Sequence, residues 1–327
     1  MKKVLFVGGG SIGHIAPSVA IAQELSKQRD IDFHFICGTN PNEATFQKPD
    51  LIFSKGTSIS LPLCLIAYIK RIPIILHESD MVIGRANRLL SILATHVFFQ
   101  NGNPVREEIT GGLQEKGLSI TGFSGKKPIL LVLGGSQGAK ALNEMIWSNL
   151  EELLKMVDIA HITGQGKKSN LQYLPAIALP ASHSAVCDGW AKAGPISNLK
   201  GYWSTEFAYD ELPHLYAIAN VALSRAGANT IAELQANNIP TILVPLREVG
   251  HDHQYHNAVH AATSSPLFIH MEQEKLKGKL METIHYTLKA LYKTPEVRPT
   301  DDFRTSDARL KITKVILDHL VGHVEHL

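Results

Sequence analysis

The feature that most limits what this chain can fold into is a rhythm of short apolar runs alternating with helical stretches, a rhythm that starts twice. Residues 4–7, 33–36, 51–53, 72–76 and 97–99 are brief β-rich runs, and helical stretches at 16–26, 61–69 and 87–93 separate them. Runs this apolar belong in sheets covered on both faces, and strands that alternate with helices lie parallel. The pattern pauses at Thr121-Gly122-Phe123-Ser124-Gly125-Lys126-Lys127-Pro128, a linker by composition, and restarts with a strand at 129–133, a glycine turn and a helix from Ala139. Further strands are expected at 160–163, 221–223 and 241–244. The expectation is an α/β chain of two Rossmann-like, doubly wound parallel-sheet domains over 1–123 and 124–305, with 306–327 a C-terminal helix packing back on the first domain. A length of 327 residues suits two domains.

Composition narrows the function classes. Apolar residues make up 44% and charged residues 19%, the balance of a globular protein with sizeable cores. A formal net charge of +2 gives no reason to expect a nucleic-acid partner. No apolar run approaches the ~20 residues that span a bilayer. Met1-Lys2-Lys3 resembles the start of a signal segment, but the apolar run behind it meets glycines at once and reads as a buried strand. Cys37, Cys64 and Cys187 are odd in number and widely spaced, which fits buried thiols in a reducing cytoplasm rather than a disulfide framework or a zinc site.

Each half opens with a strand running into a glycine loop. Gly8-Gly9-Gly10-Ser11-Ile12-Gly13-His14 follows the first strand and opens a helix. Glycines there let backbone N–H groups approach a phosphate or sugar, and the helix N-terminus adds positive potential. The segment also matches the dinucleotide pattern GxGxxG, but a dehydrogenase needs an acidic residue ending the second strand, and that strand ends Cys37-Gly38. Gly134-Gly135-Ser136-Gln137-Gly138 repeats the device in the second half. Two such loops suggest paired domains facing across a cleft, with ligands at the carboxyl ends of the strands.

Several segments, in order along most of the chain, resemble the MurG family. They are Gly9-Gly10-Ser11-Ile12-Gly13-His14; Ser54-Lys55-Gly56; His77-Glu78-Ser79-Asp80 followed by Gly84, Ala86 and Asn87; Gly102-Asn103-Pro104-Val105-Arg106; Gly134-Gly135-Ser136-Gln137-Gly138-Ala139; Ser224-Arg225-Ala226-Gly227-Ala228-Asn229-Thr230-Ile231-Ala232-Glu233; and Pro245 followed by Asp252-His253-Gln254-Tyr255-His256-Asn257-Ala258. The Ser-Ile of the first loop and the His-Glu-Ser-Asp form are similar to Gram-positive-type members. The resemblance implies a GT-B fold. It implies transfer of N-acetylglucosamine from UDP-GlcNAc to the muramoyl 4-hydroxyl of undecaprenyl-linked lipid I, giving lipid II with inversion, in peptidoglycan synthesis. The C-terminal domain would hold the donor and the N-terminal domain the acceptor. The protein would be cytoplasmic and peripheral on the inner leaflet of the cell membrane.

Roles for single residues follow from the resemblance and from their chemistry. Glu233 would accept the ribose hydroxyls, Ala228, Asn229 and Thr230 would offer helix-start amides to the diphosphate, and Ser136 would bind it from the second loop. Gln254, with Asn257 one turn later, would contact the donor sugar. Arg106 would reach the diphosphate or pyrophosphate. Ser11, Ile12 and Gly13 line the first loop, where His14 is the leading candidate for the base that takes the acceptor proton; binding acceptor phosphate is its equal alternative. His77 and Glu78 read as a second catalytic pair, with a packed histidine at a strand end as the bland alternative. Asp80 stands where many relatives carry asparagine and would touch acceptor or sugar.

No cofactor and no obligatory metal are expected. Asp30-Ile31-Asp32 spells a metal motif of another glycosyltransferase class but sits in a turn where solvated acids are common, and His251-Asp252-His253 reads as a loop lining the donor site. Compared with the family, the chain is short between Gly38 and Lys48 and again between Phe99 and Gly102, both on the acceptor side. Helix 61–69 with Lys70-Arg71 is a candidate apolar and basic membrane surface, or a core helix. Two other functions stay open at this point: a UDP-GlcNAc transferase acting on another lipid or glycan, and a donor-binding subunit that needs a partner for catalysis.

Overall fold

Alternation along the first strand sets the layers of the N-terminal half. In β1 (Lys2–Val7), Val4 and Phe6 face one cluster while Leu5 and Val7 face another. A strand buried on both sides needs helices on both sides. A computed structural model describes residues 1–9, 12–28, 30–36, 48–135, 139–166, 199–247, 252–293 and 305–321. Its first sheet runs β2-β1-β3-β4-β5, all parallel, with β2 Ile31–Ile36, β3 Leu51–Ser54, β4 Ile74–His77 and β5 His96–Phe98. α1 (Ile12–Leu25) covers one face through Ile21 and Leu25. α2 (Ser60–Ile69) and α3 (Arg85–Leu90) cover the other through Cys64, Ala67 and Leu90.

The second sheet runs β11-β10-β9-β6-β7-β8, again all parallel. Its strands are β6 Ile129–Leu133, β7 Asp158–Ile162, β8 Tyr202–Thr205, β9 Val221–Ser224, β10 Thr241–Leu243 and β11 Phe268–His270. β6 repeats the alternation: Ile129, Leu131 and Leu133 join one core, Leu130 and Val132 the other. Helices α4 (Gln114–Thr121), α5 (Lys140–Ser148), α6 (Leu150–Met156), α7 (Leu212–Ile218), α8 (Ala228–Ala236), α9 (His253–Ser264), α10 (Gln273–Lys277) and α11 (Leu280–Lys293) follow in chain order.

Two segments knit the halves together. Val105 and Ile109, ahead of the glycine-rich linker, and Phe123 within it lie in the core of the second sheet. There α4 rests on α7 so closely that a Cβ on Gly117 would stand 2.3 Å from the His214 carbonyl, which only a residue without a side chain avoids. Conversely α12 (Thr305–Val321) returns from the chain end to the first sheet, burying Ile312, Ile316 and Leu320 beside Phe6, Ile21 and Phe53. The i, i+4, i+8 spacing puts all three on one helix face. Arg309 of α12 ties it electrostatically to Glu24 of α1 and to Glu107. Helix α8 packs against both α1 and α12.

Where the elements depart from expectation, the cause is local. The strand expected at 72–76 begins at Ile74 because Pro73 has no N–H to give; its carbonyl instead accepts from Ile52. Helix α1 starts four residues earlier than periodicity suggests, directly out of the first glycine loop. The unanticipated strands β8 and β11 are the two sheet edges, where partial exposure mixes polar with apolar residues.

Candidate active site

In each sheet the strand order reverses at one point, and the glycine loops stand there. In the first sheet the reversal lies between β1 and β3, whose carboxyl ends carry Gly8-Gly9 and Ser54-Lys55-Gly56; the Lys55 amide donates to Val7 O. In the second it lies between β6 and β9, whose ends carry Gly134-Gly135 and Arg225-Ala226-Gly227; the Arg225 amide donates to Leu133 O at 3.1 Å. Chains leaving to opposite faces open a crevice at such points, the usual ligand seat of an open α/β sheet.

On the C-terminal side, helix α8 rises from that crevice. Its N-cap is Gly227, with no side-chain cap, so the first-turn amides of Ala228, Asn229 and Thr230 are presented where a diphosphate can accept them. Glu233 lies further along the same helix. Its Oε2 accepts the Tyr216 hydroxyl at 2.8 Å. Burial raises the Glu233 carboxyl above the ordinary carboxylate range; the Tyr216 hydrogen bond and the Arg106 charge oppose that rise, and Glu108 adds to it. Arg106 belongs to the N-terminal half, so the two halves meet around this carboxylate. Its Nη1 stands 3.3 Å from Glu108, and its buried Nε has no hydrogen-bond partner in the structure. Arg106, expected at a diphosphate or pyrophosphate, therefore stands close to Glu233 and Tyr216.

The N-terminal motifs converge on one buried cluster. Lys55 Nζ donates to His77 Nδ1 and to Ser79 Oγ. His77 Nε2 lies 3.1 Å from Gly102 O, which can only accept, so Nε2 carries the proton and Nδ1 is the acceptor. The ring is fully buried, and burial together with the neighbouring Lys55 charge keeps it neutral, well below the usual imidazole range. Glu78 is also buried. Its Oε1 accepts the Asp80 amide at 3.1 Å, and its Oε2 accepts the Gly84 amide at 3.0 Å and Asn87 Nδ2 at 2.8 Å. Asn87 sits directly over Gly56, which has φ +70° and where a Cβ would overlap the Asn87 amide at 1.4 Å. Asn103 Nδ2 donates to Ser79 O at 3.1 Å. As placed here, both nitrogens of His77 and both carboxylate oxygens of Glu78 are committed to the chain. What the pair does physically is shape the turn that follows β4. His77 is a packed histidine at the end of β4, with Glu78 next to it in the same buried network.

Asp80 and Asn257, each expected at a substrate, are bonded to each other across the halves at 2.8 Å. Gln254 is one turn earlier on α9; its Oε1 accepts the Leu246 amide at 3.0 Å and fixes the loop after β10. Ser11 and Ser136 lie outside the described residues, as does His251. Ile12, Gly13 and His14 form the first turn of α1, with their side chains outside the description. Asp32 pairs with His34 at 2.9 Å and Asp30 is an exposed turn residue, so these two acids are not drawn together. Among the described residues there is no group of three or more His, Cys, Asp or Glu that could hold a metal ion. Cys64 is a buried free thiol that burial pushes up to about 11; Cys37 and Cys187 lie outside the description.

Sequence reasoning passed over Lys55 and Tyr216. Lys55 had a signal: a lysine one residue behind the apolar run 51–53 of a buried strand, and directly before a glycine, stays close to the sheet. Tyr216 had none, because it meets Glu233 only through the packing of α7 on α8.

Two parallel, doubly wound sheets, each with its reversal crevice and joined by helices that cross between them, define a GT-B glycosyltransferase. The chain belongs to the MurG family within glycosyltransferase family 28. Residues 129–297 match the Glycosyltransferase family 28 C-terminal domain and residues 44–99 the Glycosyltransferase family 28 N-terminal domain. A Bacillus cereus relative named UDP-N-acetylglucosamine–N-acetylmuramyl-(pentapeptide) pyrophosphoryl-undecaprenol N-acetylglucosamine transferase 2 is 32% identical over 305 residues, 75% of this chain and 80% of the relative. A Clostridium tetani transferase of the same name, without the number, is 30% identical over 87% of this chain and 89% of its own length. In fold, the chain is similar to the crystal structure of Acinetobacter baumannii MurG, with a TM-score of 0.60 and 22% identity over 97% of this chain and 99% of that one.

Proposed function

We propose that this chain transfers N-acetylglucosamine from UDP-GlcNAc to the muramoyl 4-hydroxyl of lipid I, producing lipid II. The observation that carries the reading is the C-terminal crevice, where the α8 amides and the Glu233 carboxylate stand on one helix within the family-28 match. The amides would take the diphosphate and Glu233 the ribose. The acceptor oxygen attacks the anomeric carbon from the face opposite the nucleotide. The bond from that carbon to the diphosphate oxygen breaks, and its electron pair leaves with UDP. The hydroxyl proton passes to a base, for which His14, at the start of α1, is our candidate. Departing negative charge is met by helix-start dipoles and Arg106, so chelator should leave turnover intact.

Docking on the inner leaflet of the cell membrane is part of the same reading. Helix α2 keeps Cys64 and Ala67 inward and turns Leu65, Ile66, Tyr68 and Ile69 outward, and Leu89 and Ile92 are exposed beside it. Exposed Lys70, Arg71, Arg85 and Arg88 flank this surface. An apolar patch rimmed by cations suits an anionic lipid surface. No helix among the described residues is long and apolar enough to cross a membrane.

The test is release of UDP from UDP-GlcNAc by the purified chain, with and without a lipid I analogue. Release that depends on the analogue supports the reading. Release only with a different lipid or glycan, or only after a second protein is added, replaces it.

A further inference from the structure

The turn after β4 is held from behind and reaches forward. Behind it, Lys55 grips Ser79, Glu78 holds the amides of Asp80 and Gly84, and Asn103 binds Ser79 O. In front, its tip meets the first turns of α9 in the other half. The Met81 amide donates to Asn257 Oδ1 at 2.9 Å, and Asn257 Nδ2 donates to Asp80 Oδ1 at 2.8 Å. The second Nδ2 hydrogen goes to Ala226 O at 3.2 Å, in the loop that leads into α8. Asp80 Oδ2 lies 3.3 Å from His253 Nδ1. Asn257 is 3% exposed, and both hydrogens of its Nδ2 go to protein acceptors, Asp80 Oδ1 and Ala226 O.

We propose that Asp80 is a positioning residue: with Asn257 and His253 it forms a clasp that locks the N-terminal turn onto α9 and sets the gap between the two crevices. Three features support this over chance contact. The two main bonds join residues 176 and 177 positions apart. Donor and acceptor are matched in both directions, since the amide side chain of Asn257 receives from Met81 and gives to Asp80. Behind the tip, the buried Lys55, Glu78 and Asn103 leave the turn little freedom to yield, so a displacement at Asp80 moves α9 rather than the turn. On α9 the clasp lies one turn from Gln254, and through Ala226 it touches the entrance to α8. It therefore joins the acceptor-side turn to both donor-side elements. The proposal rests on the transfer reading for its kinetic consequence, though not for its structural one.

The test uses the full chain and the variants Asp80→Ala, Asp80→Asn, Asn257→Ala and the Asp80→Ala/Asn257→Ala double. Backbone hydrogen exchange of the 79–84 turn is the readout independent of activity. The Met81 amide should exchange about tenfold faster in Asp80→Ala and in Asn257→Ala. In steady-state kinetics each single variant should lose kcat by roughly tenfold, because the two crevices are no longer held in register. The double variant should lose no more than the worse single one, and Asp80→Asn should recover most of kcat by keeping the bond to Asn257. Binding of UDP should stay within about twofold of wild type in Asp80→Ala, because the Asp80 carboxylate meets Asn257 and His253 and none of the α8 amides or Glu233. Unchanged Met81 exchange overturns the proposal. So do losses that multiply in the double variant, or an Asn257→Ala effect confined to UDP-GlcNAc affinity, which would make Asn257 a sugar ligand. A wild-type chain that releases no UDP would sink the transfer reading, while the exchange data would still decide the clasp.

Discussion

Tyr216 donates its hydroxyl hydrogen to Glu233 across 2.8 Å, from one helix of the C-terminal half to the next. The bond fixes one carboxylate oxygen and leaves the other to meet a ligand. Tyr216→Phe should raise the KM for UDP-GlcNAc roughly tenfold with little change in kcat, the size of a lost hydrogen bond to a charged group. The pH dependence should move as well. Burial already raises the Glu233 carboxyl, and the Tyr216 bond is the largest effect holding it down. A protonated Glu233 is a poorer acceptor for ribose hydroxyls, so donor affinity should fall as pH drops through the raised value. In Tyr216→Phe that fall should begin at higher pH. Superimposable pH profiles of UDP binding would refute the assignment.

A second buried chain of polar groups ties helix α5 to strands β7 and β8. Trp147 Nε1 donates to Tyr202 Oη at 3.0 Å, Tyr202 bonds His161 Nδ1 at 2.9 Å, His161 Nε2 bonds Asn143 Oδ1 at 3.0 Å, and Asn143 Nδ2 donates to Thr163 O at 2.9 Å. Burial pushes His161 down to about 3, from an ordinary 6.5. Between those values the unfolded chain binds a proton that the native one refuses, so this histidine makes stability fall as pH falls from about 6.5 toward 3. His161→Phe strands Tyr202 and Asn143 and should destabilise the chain by about 1–3 kcal/mol at neutral pH. The deficit should shrink in acid. A gap between the urea midpoints of wild type and variant that stays constant from neutral pH to pH 5 would be the contrary result.

Much of this was legible because parallel sheets write themselves as apolar runs. The strands 129–133 and 51–53 needed only that they be buried on both faces. The motif segments were readable as places: Gly134-Gly135 and Ala228-Asn229-Thr230 do meet at one crevice. What a sequence hides is which partner each polar atom chooses. His77-Glu78 looks like a reactive pair, but Gly102, Lys55, Gly84 and Asn87 claim its atoms, and these partners come from three different stretches of chain. Asp80 and Asn257 each looked like a ligand contact, because nothing in their spacing announces that the two halves bring them together.

The apolar surface of α2 yields a prediction that leaves the crevices untouched. Ile69 is 71% exposed and Tyr68 56%, so replacing them disturbs little packing. Ile69→Asp with Tyr68→Ser should weaken binding to vesicles containing anionic lipid by about tenfold or more. Lys70→Glu with Arg71→Glu should weaken it in a salt-dependent way, each charge near an anionic surface being worth about 1 kcal/mol. Activity on a soluble acceptor analogue should persist in both. Equal vesicle binding by wild type and both double variants would remove this face from the proposed membrane contact.

Lys55 gives the last prediction. Burial lowers its ammonium from an ordinary 10.5 to about 7, and the Glu78 and Asp80 charges prevent a deeper fall. Below about pH 7 the lysine is charged in both native and unfolded chains, and the full penalty of a buried charge stands. Between about 7 and 10.5 the unfolded chain keeps a proton that the native one has shed, so this residue makes stability rise with pH across that window. Lys55→Met fills the same volume without a titrating group and leaves His77 Nδ1 and Ser79 Oγ without their donor. Its stability should therefore lack that rise. The urea midpoint of wild type should exceed that of Lys55→Met by a margin that widens steadily from about pH 6.5 to about pH 9. Because Ser79 loses its anchor, the 79–84 turn should also exchange faster in the variant at every pH. Midpoints that run parallel across the range would mean that Lys55 keeps its proton in the native chain, held by Glu78 and Asp80.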